Sequence, residues 1–153
     1  GEGLGIQVKD AISGDLTCSM GIIRVENGQV SATLDIRTPL LVDGARLAQV
    51  IQNHLEGVKV EELGSHGPHY VPESSELVQG LLSAYHEVTG REKKAIAIGG
   101  ATYARSLKEG VAFGATFPED PDVAHQADEH VNLDSLMQSM QIFANAIIRL
   151  AGK

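Results

Sequence analysis

Apolar and polar positions along the chain change period several times, and each change marks an element. TCSMGIIRV and QVSATLDIRT flank VENGQ, so residues 17 to 37 predict a β-hairpin with Asn27-Gly28 in its tight turn. In the second strand Val30, Ala32, Leu34 and Ile36 share one face, while Ser31, Thr33, Asp35 and Arg37 share the other. That alternation predicts one buried face and one facing solvent or a cleft. Pro39 ends the strand. Leu47, Val50, Ile51 and Leu55 then recur at helical spacing, with Asp43 as cap and Gly57 as stop, predicting a helix from about Asp43 to Glu56. VKVEEL, residues 58 to 63, predicts a short strand. Residues 4 to 63 are thus expected to form one α+β unit.

The stretch GSHGPHYVP, residues 64 to 72, holds two glycines and two prolines in nine residues and reads as a hinge. Beyond it, Leu77, Val78, Leu81, Leu82, Tyr85 and Val88 form a helical stripe, with Ser74 or Ser75 as cap and Gly90 as stop. KAIAI, residues 94 to 98, and VAFGATF, residues 111 to 117, predict short strands. A final helix is expected from about Asn132 to Leu150, with Leu133, Leu136, Met137, Met140, Phe143, Ile147 and Leu150 as its stripe. Helix, strand, loop, strand and helix is the trailing part of an α/β layer. Two short strands cannot cover two such helices, and strands apolar on both faces want neighbours on each side. The second unit therefore looks incomplete.

Composition narrows the function classes. The chain has 153 residues, 42% of them hydrophobic, and a formal charge of −8 from 12 basic and 20 acidic side chains. No basic run could track a phosphate backbone, which argues against nucleic-acid binding. No apolar run approaches the roughly 18 residues needed to span a bilayer, so no membrane partner is expected. A single cysteine, Cys18, cannot make an internal disulfide, and a cytoplasmic setting is the default expectation. Its place in the hairpin suggests packing.

Candidate chemistry is concentrated in three places. PEDPDVAHQADEH, residues 118 to 130, brings His125 and His130 together with Glu119, Asp120, Asp122, Asp128 and Glu129. Imidazole and carboxylate suit zinc, and a loop between strand and helix is where sites sit in open α/β sheets. A solvated acidic loop explains the same residues, and no standard metal-ligand spacing is present. IGGATYARSLKEG, residues 98 to 110, follows a predicted strand with paired glycines. The backbone N–H groups of Ala101 and Thr102 there could hold a carboxylate or phosphate, with Arg105 close by. A plain strand-to-helix turn is the alternative. Arg37, on the polar face at a strand end, could grip a carboxylate with its planar fork, or simply pair with Asp35. His66 and His69 lie in the hinge, and Tyr103 could donate a hydrogen bond, though each also fits an ordinary loop or packing role.

Four segments in order carry a resemblance: DIRTP at 35 to 39, PHYVPESSELVQGLLSAYHEVTG at 68 to 90, IGGATYAR at 98 to 105, and VAFGATFPEDPDVAHQADEHVNLDSL at 111 to 136. Together they resemble the C-terminal portion of the co-catalytic, dinuclear zinc metallopeptidases that include aminoacylases, desuccinylases and bacterial dipeptidases, and most of all the dipeptidases. The resemblance implies an α/β fold: residues 1 to 63 as part of an α+β lid domain, 64 to 72 as hinge, and 73 to 153 as the closing part of an α/β catalytic domain. It implies zinc-dependent hydrolysis of a small peptide substrate, with two zinc ions in a complete site. His125 resembles the last zinc ligand. Arg37 resembles the lid arginine that reaches the substrate. Gly100, Ala101 and Thr102, with Arg105, resemble the region holding the substrate's C-terminal end. Ala101 stands where the family often has a third glycine. Glu129 resembles a recurrent acid of the loop.

The family's other ligands and its general-base glutamate match nothing in this sequence. The adjacent acids Glu61-Glu62 lie in the lid-like unit, in the wrong surroundings. The expectation is therefore a fragment, inactive alone, that completes its site and sheet against an upstream polypeptide or else self-associates. Deacylation of N-acyl amino acids is the alternative activity, and a non-catalytic binding or assembly module is the alternative class.

Overall fold

Backbone hydrogen bonding decides which predicted strands exist. A computed structural model describes residues 1–100, 102–114 and 116–152. Its described residues form two compact units: Gly1–Tyr70 with the stretch from Ala97 to the glycine pair, and Val71–Ile96 with Thr102 onward. The architecture is mixed α and β, with two small antiparallel sheets and three α-helices among the described residues.

In the first unit, β1 (Lys9–Asp10) pairs with β2 (Gly14–Asp15), and β3 (Thr17–Glu26) pairs with β4 (Gln29–Arg37). The long hairpin is the one the alternation predicts. Asn27 (φ 51°) and Gly28 (φ 77°) both occupy the left-handed region, as a primed turn requires. Register slips between Met20 and Ile22, so Gly21 is a bulge. The slip has a purpose. Cys18 and Met20 face Ile36 and Leu34, whereas Ile23 and Val25 face Ala32 and Val30. One extra residue shifts the parity of β3 and keeps all eight side chains on one face.

That face is only partly covered. Ile6, Leu16 and Ile51 form the core, and Cys18, Ile36, Leu47, Leu55 and Val60 pack against it. Met20, Ile23, Val25 and Val30, nearer the turn, are exposed, so the expected buried face is buried only at its Ile36 end. The expected helix begins as a 3-10 turn at Gly44–Arg46, with the Asp43 carboxylate accepting from Ala45 N–H, and continues as α1 (Leu47–His54). The predicted strand at 58 to 63 does not form. The Gln52 side chain instead donates to the Val58 carbonyl (2.7 Å) and accepts from Val60 N–H (2.9 Å), tying this segment to α1 through an amide.

A polar clamp closes the first unit where β4 ends. Asp10 Oδ1 accepts from Ser13 N–H (2.6 Å) and Ile12 N–H (2.8 Å), while Oδ2 accepts from Leu41 N–H (2.9 Å). Ser13 Oγ donates to Asp10 and accepts from Leu40 N–H (2.7 Å). One carboxylate and one hydroxyl thus hold a turn and a segment about thirty residues away.

In the second unit, α2 (Glu76–Thr89) and α3 (Leu133–Ala151) pack together. Ser75 caps α2 by accepting from Val78 N–H, and Gly90 (φ 69°) ends it; Asn132 caps α3. Gly80 gives Leu150 room, since a Cβ there would lie 2.6 Å from Leu150 Cδ2. The stripe of α2 is the predicted one, with Val78 and Leu82 buried. That of α3 is not. The buried face of α3 is Ser135, Ser139, Ile142 and Ala146, small enough for close approach to α2. The predicted stripe lies outside: Met137 is 63% exposed, Met140 57% and Ile147 65%, against 4% for Ile142.

Residues 94 to 98 and the described part of 111 to 117 form no strand either, because no described segment pairs with them in a ladder. The 111 to 117 segment is held by side chains instead. Phe113 meets Phe143 edge-on, with centroids 5.7 Å apart, and Phe117 stacks on Tyr85 at 6.4 Å. Among the described residues, no helix is long and apolar enough to cross a membrane.

The clamp yields a test. Hydrogen bonds led by those from Ser13 and Leu41 N–H hold the Asp10 carboxyl down at about 2, well below the ordinary carboxylate range. A group depressed on folding contributes stability above its unfolded pKa and loses that contribution as pH falls through the folded one. The denaturant midpoints of wild type and Asp10→Ala should therefore differ by a constant amount through neutral pH. The gap should begin to shrink as pH falls below the ordinary carboxylate value and go on shrinking until about 2. A gap independent of pH down to that point would mean the charge plays no part.

Candidate functional site

Arg37 is the last residue of β4, held opposite Thr17 by the hairpin register. Strand alternation sends its side chain to the polar face, beside Asp35. Its Nη1 donates to the Gly99 carbonyl at 2.5 Å, and its Nη2 lies 3.6 Å from Asp35 Oδ2. The pairing with Asp35 weighed for this arginine is thus visible. It has an acidic neighbour within the strand, and it reaches the glycine pair of the IGGATYAR segment, 62 residues on. The Arg37 side chain remains about half exposed (48%). Gly99 and Gly100 belong to the same unit as Arg37.

Thr102, Arg105 and His125 belong to the second unit. Thr102 caps a 3-10 turn over Tyr103–Ser106, its Oγ1 accepting from Ala104 N–H at 3.2 Å. The plain-turn alternative therefore describes the local geometry at Thr102. Arg105 is exposed, and Tyr103 is almost wholly so. Ala101 lies outside the described residues.

The loop bearing His125 is pinned at both ends. Asp120 Oδ1 accepts from Ser135 Oγ (2.7 Å) in the first turn of α3, and Oδ2 accepts from Phe117 N–H (3.1 Å). Next to it, Arg91 lies over the Phe117 ring at 5.0 Å, donates to the Tyr85 hydroxyl and pairs with Glu119. The Arg91 guanidinium is pushed up by its bonds to Tyr85 and Glu119. His125 sits at the exposed crest with φ 62°, its backbone N–H donating to Glu129 Oε2 at 3.1 Å. Asp128 also has positive φ, and its carbonyl is 2.7 Å from His130 Nδ1. Two left-handed residues in four give the loop a fixed, folded crest.

Its acids do not gather around His125. Among the described residues no group of three or more His, Cys, Asp or Glu side chains could hold a metal. Asp120 and Glu119 are spent on α3 and Arg91, and Glu129 on the His125 backbone. His125 fits a zinc site as one donor, and the described residues do not complete one. His66 and His69 are exposed.

Sequence reasoning overlooked Asp10, Ser13 and Arg91. Asp10-Ala-Ile-Ser13 has the spacing of a side-chain-capped turn, which is a usable signal. Nothing in the sequence announces that the same carboxylate also reaches Leu41, or that Arg91 lies on Phe117.

Comparison with known proteins agrees with the order of segments. Residues 2–149 match peptidase family M20/M25/M40. A Bacillus subtilis protein named "Putative dipeptidase YtjP" is 41% identical over 155 residues, covering 99% of this chain and 33% of that protein. The Beta-Ala-Xaa dipeptidase of Lactobacillus delbrueckii subsp. lactis is 38% identical over 152 residues, covering 98% of this chain and 32% of its own length. The chain therefore spans about a third of the length of these curated relatives. With a match over nearly all of its residues, the chain belongs to peptidase family M20/M25/M40.

Proposed function

We propose that this chain is the C-terminal portion of a zinc-dependent dipeptidase and supplies that enzyme with one metal ligand and a substrate clamp. The observation that carries the reading is the reach of Arg37 to Gly99, which joins two segments selected independently as substrate-binding. Family membership and relatives named as dipeptidases support hydrolysis of a peptide. In this reading residues 1 to 63 are part of the lid, 64 to 72 the hinge and 73 to 153 the end of the catalytic domain.

Each residue then has a defined task. Arg37 presents a planar cationic fork to the substrate's carboxylate or to the anion that develops during hydrolysis. Gly100, Ala101 and Thr102 offer backbone to the C-terminal end of the dipeptide, and Arg105 adds positive charge near it. His125 donates imidazole nitrogen from a loop crest held by Asp120 and Glu129. A zinc pair, when bound, supplies Lewis-acid polarisation of the scissile carbonyl. The remaining ligands and the general base come from the part of the enzyme beyond this chain. That part also covers Met137, Met140 and Ile147 and supplies partner strands for the segments that lack them.

Three outcomes follow. In the complete enzyme, Arg37→Lys should lower kcat/KM by about 10- to 100-fold, the loss expected for about 1.5–3 kcal/mol of charge-assisted hydrogen bonding, with little change in thermal stability. Wild-type kinetics in that variant would remove Arg37 from the site. His125→Ala should lower zinc content and activity together; elemental analysis finding both metals retained would exclude it as a ligand. The chain alone should not hydrolyse dipeptides in excess zinc, and should associate at micromolar concentration. Each large apolar side chain left in water forgoes about 1.5–3 kcal/mol, and several lie together on α3. Sedimentation giving a monodisperse monomer with dipeptidase activity would defeat the reading.

A further inference from the structure

The Asp10 clamp grips the chain immediately beyond Arg37. Arg37 is fixed on its N-terminal side by the β3–β4 ladder, where it pairs with Thr17. On its C-terminal side only Thr38 and Pro39 separate it from the clamped backbone. Pro39 is buried and has a fixed φ, and its carbonyl accepts from Val42 N–H at 3.2 Å. Leu40 N–H is then taken by Ser13 Oγ at 2.7 Å and Leu41 N–H by Asp10 Oδ2 at 2.9 Å. The serine hydroxyl donates to Asp10 while accepting from Leu40, so its hydrogen-bonding capacity is used in a consistent sense. A strand end in a two-stranded ribbon frays readily, and this one is locked from both directions.

We propose that Asp10, acting with Ser13, is the positioning pair for Arg37: by holding the backbone of Leu40 and Leu41 it fixes the strand exit from which the guanidinium reaches the Gly99 carbonyl. Neither side chain need touch substrate. The clamp acts on the direction of the arginine, and a displacement of about 1 Å in a substrate-gripping group is enough to cost up to about 100-fold in rate. The inference rests on the reading of Arg37 as a substrate-facing group. A carboxylate serving stability alone could satisfy its own turn through Ile12 and Ser13; the bond to Leu41 is what ties that turn to the arginine.

A double-mutant cycle in the complete peptidase separates positioning from mere stabilisation. Wild type, Asp10→Ala, Arg37→Ala and the double variant are compared for kcat/KM on alanyl-glycine, for zinc content and for melting temperature. Asp10→Ala should lower kcat/KM by about 10-fold with zinc content unchanged, and should lower it less than about 2-fold further once Arg37 is gone. Equal losses in both backgrounds, or none in either, would overturn the positioning role. If Arg37→Ala alone retains wild-type kcat/KM, the substrate role of Arg37 falls first, and that result is read from the single variant. Should Asp10→Ala fail to fold, Ser13→Ala goes through the same cycle. It removes the acceptor of Leu40 and the hydroxyl donor to Asp10, keeps the carboxylate that accepts from Leu41, and should give a smaller loss that again vanishes without Arg37.

Discussion

A strand needs a second stretch of backbone to take up its hydrogen bonds, and the supply of such stretches organises this whole chain. Where one is close in sequence, as across Asn27-Gly28, a long ladder forms, and a bulge even corrects its parity. Where none is at hand, the same kind of sequence stays without a ladder and finds other anchors. The 58 to 60 segment is tied to α1 by the Gln52 amide. The 111 to 117 segment is held by Phe113 and Phe117 against the aromatic rings of α3 and α2. Side chains thereby hold segments whose backbone groups a sheet would have used.

The same shortage explains α3. A helix with two apolar faces must choose one when only one partner is present. The small face of Ser135, Ser139, Ile142 and Ala146 allows α2 to come close, and the two helices settle on it. The larger side chains then remain outside. The exposed Met137, Met140 and Ile147 give α3 apolar surface suited to a second layer. The curated relatives that this chain matches are about three times its length.

Local signals in the sequence were therefore readable where the physics is local. The Asn-Gly turn, the Asp43 cap, a serine cap at 74 or 75 and the Gly90 stop each depend on a few neighbouring residues, and the structure shows each, with Ser75 as the serine. What was misread depends on partners. Strand propensity at 94 to 98 and 111 to 117 is real, but propensity measures fit to a pleated surface and forms no sheet alone. The α3 stripe follows apolar residues at helical spacing, whereas burial followed the face that lets helices approach. For the site, the sequence singled out Arg37 and the glycine pair separately, and only the structure joins them through Gly99. The Asp10 turn was legible as spacing, but its grip on Leu41 crosses 31 residues and leaves no local trace.

The joining of Arg37 to Gly99 has a chemical consequence of its own. A guanidinium carries five N–H donors in a rigid plane. Arg37 commits one to a neutral carbonyl, and its nearest acid stands at 3.6 Å, an ion pair without a hydrogen bond. Such a contact sets direction without exhausting the fork. A planar fork can give two parallel N–H bonds to one carboxylate, which the single Gly99 carbonyl does not use. A lysine in its place would offer a point charge and no such fork. The strand end thus holds an arginine oriented by one carbonyl, with an acid 3.6 Å away and donors to spare.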